Sequence, residues 1–244
     1  QFGNIKNHLP KDLILLNYKN IFNNLKKDGG FIKVLVHNIR FYFDIANRSN
    51  KELIKVGRHL FQDRNLKYYL SSFFFYSVGM QTIFLMATPF GSTVVFPREN
   101  DKYKLIITIL LIQIIAIFGA FIFSKLSRRI GNKNVINTAI IIWAGCCASA
   151  FMLNKENPNL QLQFYILAGF IGLVMGGLQA ISRSTYSKLL PENSEENTIF
   201  FSFYDVLEKI AIVFGMLIFS GFIQKFGNMQ YAFIAMSVFF IIGL

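Results

Sequence analysis

Apolar residues in this chain are gathered into long runs, where a soluble core would space them at helical or strand intervals. A run of about 20 mainly apolar residues is long enough to cross a bilayer as a helix. The pattern predicts six such spans, at residues 68–90, 105–126, 135–153, 162–187, 199–224 and 229–244, the fourth with a polar extension from Ser182 onward. The sixth run would reach only about 24 Å as a helix against a hydrocarbon core of about 30 Å. The expected fold is therefore an all-α membrane protein of six helices, the last one truncated. The chain begins with Gln1 and stops on Leu244 without a polar flank, so a fragment of a longer polypeptide is expected.

Residues 1–67 have a different character. Amphipathic stretches such as 12–27 are broken by Gly29 and Gly30 and again at 47–50, and the stretch 31–45 is too short and too charged to span. Helices lying against the membrane surface, basic side toward anionic headgroups, are the expectation for this segment. His8, His37 and His59 all fall here, so the six spans hold no histidine.

Composition sharpens the membrane reading: 53% of the residues are hydrophobic and the mean hydropathy is +0.43. The net charge of +12 could suggest nucleic acid, but its distribution points elsewhere. Residues 1–67 and the stretches 125–133 and 183–198 hold 19 Lys and Arg, while the alternate loops hold 5. By the positive-inside rule this places the amino-terminal segment in the cytoplasm. No nucleic-acid partner is expected, because no aromatic-basic platform accompanies the charge. Cys146 and Cys147 are adjacent within the third span, a spacing that suits neither a disulfide framework nor a zinc site. No metal, cofactor or catalytic residue is expected, and hence no enzyme, since no span combines a nucleophile with a base.

Candidate chemistry concentrates in the fifth span. Tyr204, Asp205, Glu208 and Lys209 lie within residues 199–223, a stretch with 15 Leu, Ile, Val and Phe. An Asp or Lys at mid-membrane costs about 2.5–3.5 kcal/mol, and each large apolar residue returns about 0.3–0.6 kcal/mol. The run therefore just offsets its three charges if they stay unpaired. Asp205, Glu208 and Lys209 are spaced to project from one helix face, which should look into a bundle or cavity and away from lipid. Arg183, at the end of the fourth span, is either their partner or an ordinary snorkelling residue.

Elsewhere the polar signals are sparser. The first span carries Gly79, Gln81 and Thr82, then Pro89 and Gly91, which predict a kinked or unwound far end. Gln81 reads as a substrate or water contact or as an interhelical hydrogen bond, and Gln113 as the latter. In the fourth span Gly172, Gly176 and Ala180 recur every four residues, a stripe that admits close helix approach, with Gln179 next to Ala180.

The order of these features resembles the carboxy-terminal half of a major facilitator superfamily transporter, helices seven to twelve. More narrowly, the run from Gly176 through Gln179 to Ser184, then Leu190-Pro191, then Phe200 through Asp205 with Lys209, resembles the branch of the autophagy-related vacuolar effluxers and their bacterial relatives. Residues 75–82 are similar to the seventh helix of that branch. The superfamily's signature loop, Gly-x-x-x-Asp-Arg/Lys-x-Gly-Arg/Lys-Arg/Lys, has a weak copy here at Ser124, Arg128, Arg129, Gly131, Asn132 and Lys133. Its acidic position is Arg128, so Arg129, Gly131 and Lys133 keep only the turn and the basic charge.

What the resemblance implies is a secondary active transporter working by alternating access, with inverted three-helix repeats and a substrate path against a missing first half. Gln81, Thr82 and Gln179 are the path candidates. Arg183, Tyr204, Asp205, Glu208 and Lys209 are candidates for a gate that forms and breaks, or for a coupling proton on Asp205 or Glu208. The expected partners are the bilayer, the absent half of the polypeptide and a small solute, with amino-acid efflux implied by the relatives. A bacterial cytoplasmic membrane is the expected location. A membrane scaffold or receptor without transport is the alternative.

Overall fold

A computed structural model of the chain describes residues 54–58, 60–153, 157–190 and 197–244. The amphipathic stretches at 12–27 and 31–45 and the three histidines lie outside these residues. Every apolar run has become a helix: α1 Arg64–Phe90, α2 Lys102–Ile130, α3 Asn132–Phe151, α4 Leu160–Leu189, α5 Asn197–Phe226 and α6 Met229–Ile242. The first five are long and apolar enough to cross a membrane, and α6, with 14 residues, is shorter. Helices overrun the apolar stretches at most ends, because polar flanks continue the helix once it has nucleated.

Local chemistry sets the ends of α1. Asp63 caps its start, the carboxylate accepting from the backbone N–H groups of Asn65 at 2.8 Å and Leu66 at 3.0 Å. At the other end Pro89 brings no N–H to the ladder. The helix widens there into a π-turn, Gly91–Val95, in which the Phe96 N–H donates to the Gly91 carbonyl at 2.8 Å. The Ser92 and Thr93 hydroxyls both donate to the Pro89 carbonyl. The kink expected from sequence is thus a widening of the coil.

Glycines decide how the helices pack. A Cβ on Gly119 of α2 would strike the backbone of Leu173, and one on Gly176 of α4 the backbone of Ala116, so α2 and α4 touch main chain to main chain. Gly172 also sits close to main chain, at Ile112. The stripe read from the sequence is therefore a packing face. On α5, Gly215 lets the helix seat against Val78 and Thr82 of α1. Between α3 and α6 the ring of Trp143 stacks on Phe240, centroids 5.6 Å apart and planes 14° from parallel.

The principal contacts are α2 with α4, α1 with α5, α3 with α6, α3 with α4, and α1 with α6. Exchanging α1, α2 and α3 for α4, α5 and α6 reproduces this pattern. Each unit holds three helices, an odd number, so the second unit enters from the side opposite to the first, as inverted repeats do. The helices with the least covered span segments are α2 and α5. Their open faces are apolar, with Ile114, Ile117 and Phe121 on α2 and Val206, Val213 and Leu217 on α5.

Alternating spans bring the starts of α1, α3 and α5 and the ends of α2, α4 and α6 to one end of the bundle. Lys125, Arg128, Arg129, Lys133 and Lys188 make this the basic end. There α2 turns into α3 at Gly131, whose φ of +83° suits a residue without a side chain. The Asn132 amide ties the turn to α4 by donating to the Thr185 hydroxyl at 2.9 Å.

Candidate functional site

Toward the basic end α1, α4 and α5 converge, yet α4 and α5 are not among the closely packed pairs. Long side chains bridge them. The Tyr186 hydroxyl of α4 donates to the Phe200 carbonyl of α5 at 2.8 Å, and its ring lies 5.0 Å from that of Tyr204. Tyr204 in turn stacks on Phe73 of α1, with centroids 4.0 Å apart. A phenol buried in a helix junction must find a partner. Ser182 supplies two: its carbonyl accepts from the Tyr69 hydroxyl at 2.6 Å, and its hydroxyl meets that of Tyr76 at 2.7 Å.

The charges sit around this aromatic knot. Arg183 Nη2 is 2.8 Å from Asp205 Oδ1, with both side chains about half exposed, at 55% and 50%. The same guanidinium lies over the Tyr204 ring, 5.7 Å from its centroid. Glu208 turns inward and accepts a hydrogen bond from the Gln81 side-chain amide of α1. Lys209 is exposed and forms no ion pair among the described residues. The face that sequence spacing assigned to one cluster is thus divided among three surroundings. Arg183, reaching across from α4, takes Asp205 through one guanidinium nitrogen and leaves Lys209 outside the pair.

Arg183 and Tyr204 also line a cavity of about 100 Å³, whose other walls are Phe73, Met80, Gln179, Ser182 and Glu208. At about 30 Å³ per water it has room for roughly three waters. A second cavity, about 210 Å³, lies among α1, α2 and α4, the positions that repeat exchange assigns to α4, α5 and α1. It is lined by Phe84, Leu105, Ile112 and Phe164, with Thr88 and Thr108 as its polar groups. Of the two repeat-related cavities, only the one toward the basic end carries charge.

Of the path candidates, Gln179 is half-buried on the cavity wall and Gln81 is 8% exposed behind Glu208. Thr82 does not reach the cavity: it is buried against Gly215, and its hydroxyl has no hydrogen-bond partner among the described residues. Arg129 and Lys133 are exposed beside Gly131 and form no ion pair among the described residues. No group of three metal-ligating side chains occurs among the described residues. Sequence reading missed Tyr69, Tyr76 and Tyr186. Their signal was three tyrosines inside apolar helices, each obliged to bury a hydroxyl with a partner.

A polytopic membrane domain of two inverted three-helix units, with a polar pocket where α1, α4 and α5 meet, belongs to the membrane-transporter class of folds. The chain belongs to the Atg22-like vacuole effluxer family, whose model matches residues 36–244. It is similar to an uncharacterized MFS-type transporter, YxiO, of Bacillus subtilis, 30% identical over 200 residues that make up 82% of this chain and 44% of the relative. It is also similar to autophagy-related protein 22 of Cryptococcus neoformans, 27% identical over 82% of this chain and 38% of the relative. The Kluyveromyces lactis protein of the same name is 27% identical over 83% and 41%. The chain therefore spans less than half the length of these relatives. No solved structure matches it.

Proposed function

We propose that these helices form one half of a secondary transporter that moves a small solute by alternating access, with Arg183 and Asp205 as a gate at the basic end. The observation that carries this reading is the position of that pair. It joins two helices whose backbones are not closely packed, beside the Tyr186 bridge between them, and its arginine lines a polar cavity. A half-exposed ion pair is worth about 1 kcal/mol or less. Such a contact can break and re-form in a working cycle where a packed backbone contact cannot.

Glu208 and Gln81 lie deeper, and Glu208 is the better placed of the two acids to meet a solute or a coupling proton. The effluxer relatives favour export, and small zwitterions such as amino acids are the first solutes to test. The bacterial relative favours a bacterial cytoplasmic membrane.

The test is counterflow of radiolabelled amino acids in vesicles holding the complete protein. Arg183→Asp and Asp205→Arg alone should abolish it, and the two together should recover a measurable part. A swap that recovers nothing removes the gate. Absence of counterflow for every solute offered, in folded protein, favours a scaffold.

A further inference from the structure

Ahead of α1 the chain makes a helical turn in which Val56, Gly57 and Leu60 are buried while Arg58 is exposed. With Phe61 these positions recur as i, i+1, i+4 and i+5, the stripe of an amphipathic turn. The stripe meets the start of α5. A Cβ on Gly57 would strike the Phe203 ring, and the Phe61 ring stands edge-on to the same ring, centroids 6.4 Å apart and planes 82° from parallel. Val56 and Leu60 join the apolar cluster that holds Phe200 and Tyr204.

Phe203 sits among the residues that fasten α5 to its other neighbours. The Phe200 carbonyl accepts from Tyr186, Tyr204 stacks on Phe73, and Asp205 pairs with Arg183. Less than two turns of α5 are therefore held by α4, by α1 and by the turn ahead of α1. That turn is itself fixed to α1, because Asp63 caps the helix and its carbonyl accepts from the Lys67 N–H at 2.9 Å. Movement of the start of α5 away from α1 thus draws the Phe203 ring off Gly57 and Phe61. Gly57 is what makes the seat, since any larger residue there would fill the space that the ring occupies.

We propose that the turn at 56–61 is a strap that holds the start of α5 in the closed position of the gate, so that displacing the strap opens the Arg183–Asp205 pair. This regulation rests on the gate reading of that pair. The strap follows directly on residues 1–55, so a pull on those residues is a pull on the strap.

The experiment measures the distance between α4 and α5 in the complete protein in vesicles, by double electron–electron resonance. Spin labels go on cysteines placed at the exposed Ser187 of α4 and Ser202 of α5, after Cys146, Cys147 and any further native cysteine are exchanged for Ala. Neither partner of the gate pair is altered. Gly57→Leu and Phe203→Ala should each raise the share of molecules at the longer distance at least threefold. Arg58→Ala, on the exposed side of the strap, should leave the distribution as it was. If Gly57→Leu prevents folding, Phe61→Ala takes its place. An unchanged distribution in the folded strap variants, or an equal shift from Arg58→Ala, overturns the proposal. Longer distances in a protein that shows no counterflow would strike the transport reading and spare the strap. Unchanged distances with counterflow that Arg183→Asp abolishes would do the reverse.

Discussion

Gln81 and Glu208 are hydrogen-bonded across 127 residues of sequence, the amide of α1 donating to the carboxylate of α5. One turn earlier on the same helix, Asp205 reaches α4 through Arg183. Neighbouring acids thus fasten α5 to two different helices, one contact deep and half-buried and the other shallow and wet. The shallow contact can open while the deep one holds.

From the exposure of the Arg183–Asp205 pair, Arg183→Ala should cost less than about 1 kcal/mol of stability. Transport should nevertheless fall at least tenfold if the pair gates the cavity. Thermal unfolding in detergent beside counterflow in vesicles separates the two quantities. A large loss of stability would show the pair to be structural.

Gln81→Leu removes the donor from a partly buried carboxylate. Hydrogen bonds to charged groups contribute about 1.5–3 kcal/mol, so a loss of about 1–2 kcal/mol is expected for this partly exposed acid. Glu208→Gln keeps a hydrogen-bonding side chain and should cost less. Equal midpoints for both variants in thermal unfolding would contradict the contact.

Tyr76→Phe leaves the Ser182 hydroxyl buried without its partner and should cost about 1 kcal/mol. In a Ser182→Ala background the same change should cost little, because the hydroxyl it would orphan is gone. A double-mutant cycle on unfolding midpoints measures the difference, and strict additivity would dismiss the pair.

Gly176→Leu forces a side chain into the Ala116 backbone and should destabilise by about 3 kcal/mol or more, or prevent folding. Gly145→Ala, with no heavy atom within 4 Å of the added carbon, should be neutral or stabilise α3 by about 0.5–1 kcal/mol. Recovery of monodisperse protein after detergent extraction reports both.

The six helices were legible because each buries an apolar run, and a run long enough for the bilayer announces itself without any knowledge of its neighbours. The glycine stripe at Gly172 and Gly176 was legible for the same local reason. Partner choice was not. Spacing alone put Asp205, Glu208 and Lys209 on one side of α5, but which side chain takes which acid depends on Gln81 and Arg183, brought in from α1 and α4 by tertiary packing. The serine at 182 looked like helix-end polarity until Tyr69 and Tyr76 were seen to converge on it.

The main-chain contact at Gly119, Gly172 and Gly176 makes the two seams between the repeats, α2 with α4 and α5 with α1, equal in topology and unequal in closeness. With carbonyls and α-carbons interlocked, α2 cannot slide along α4 without lifting away from it, so the two behave as a single lever arm. The matching seam, α1 with α5, has its close approach at Gly215, against Val78 and Thr82, and is joined toward its basic end by side chains. The looser of the two seams is therefore the one made by α5, the helix that carries the charges.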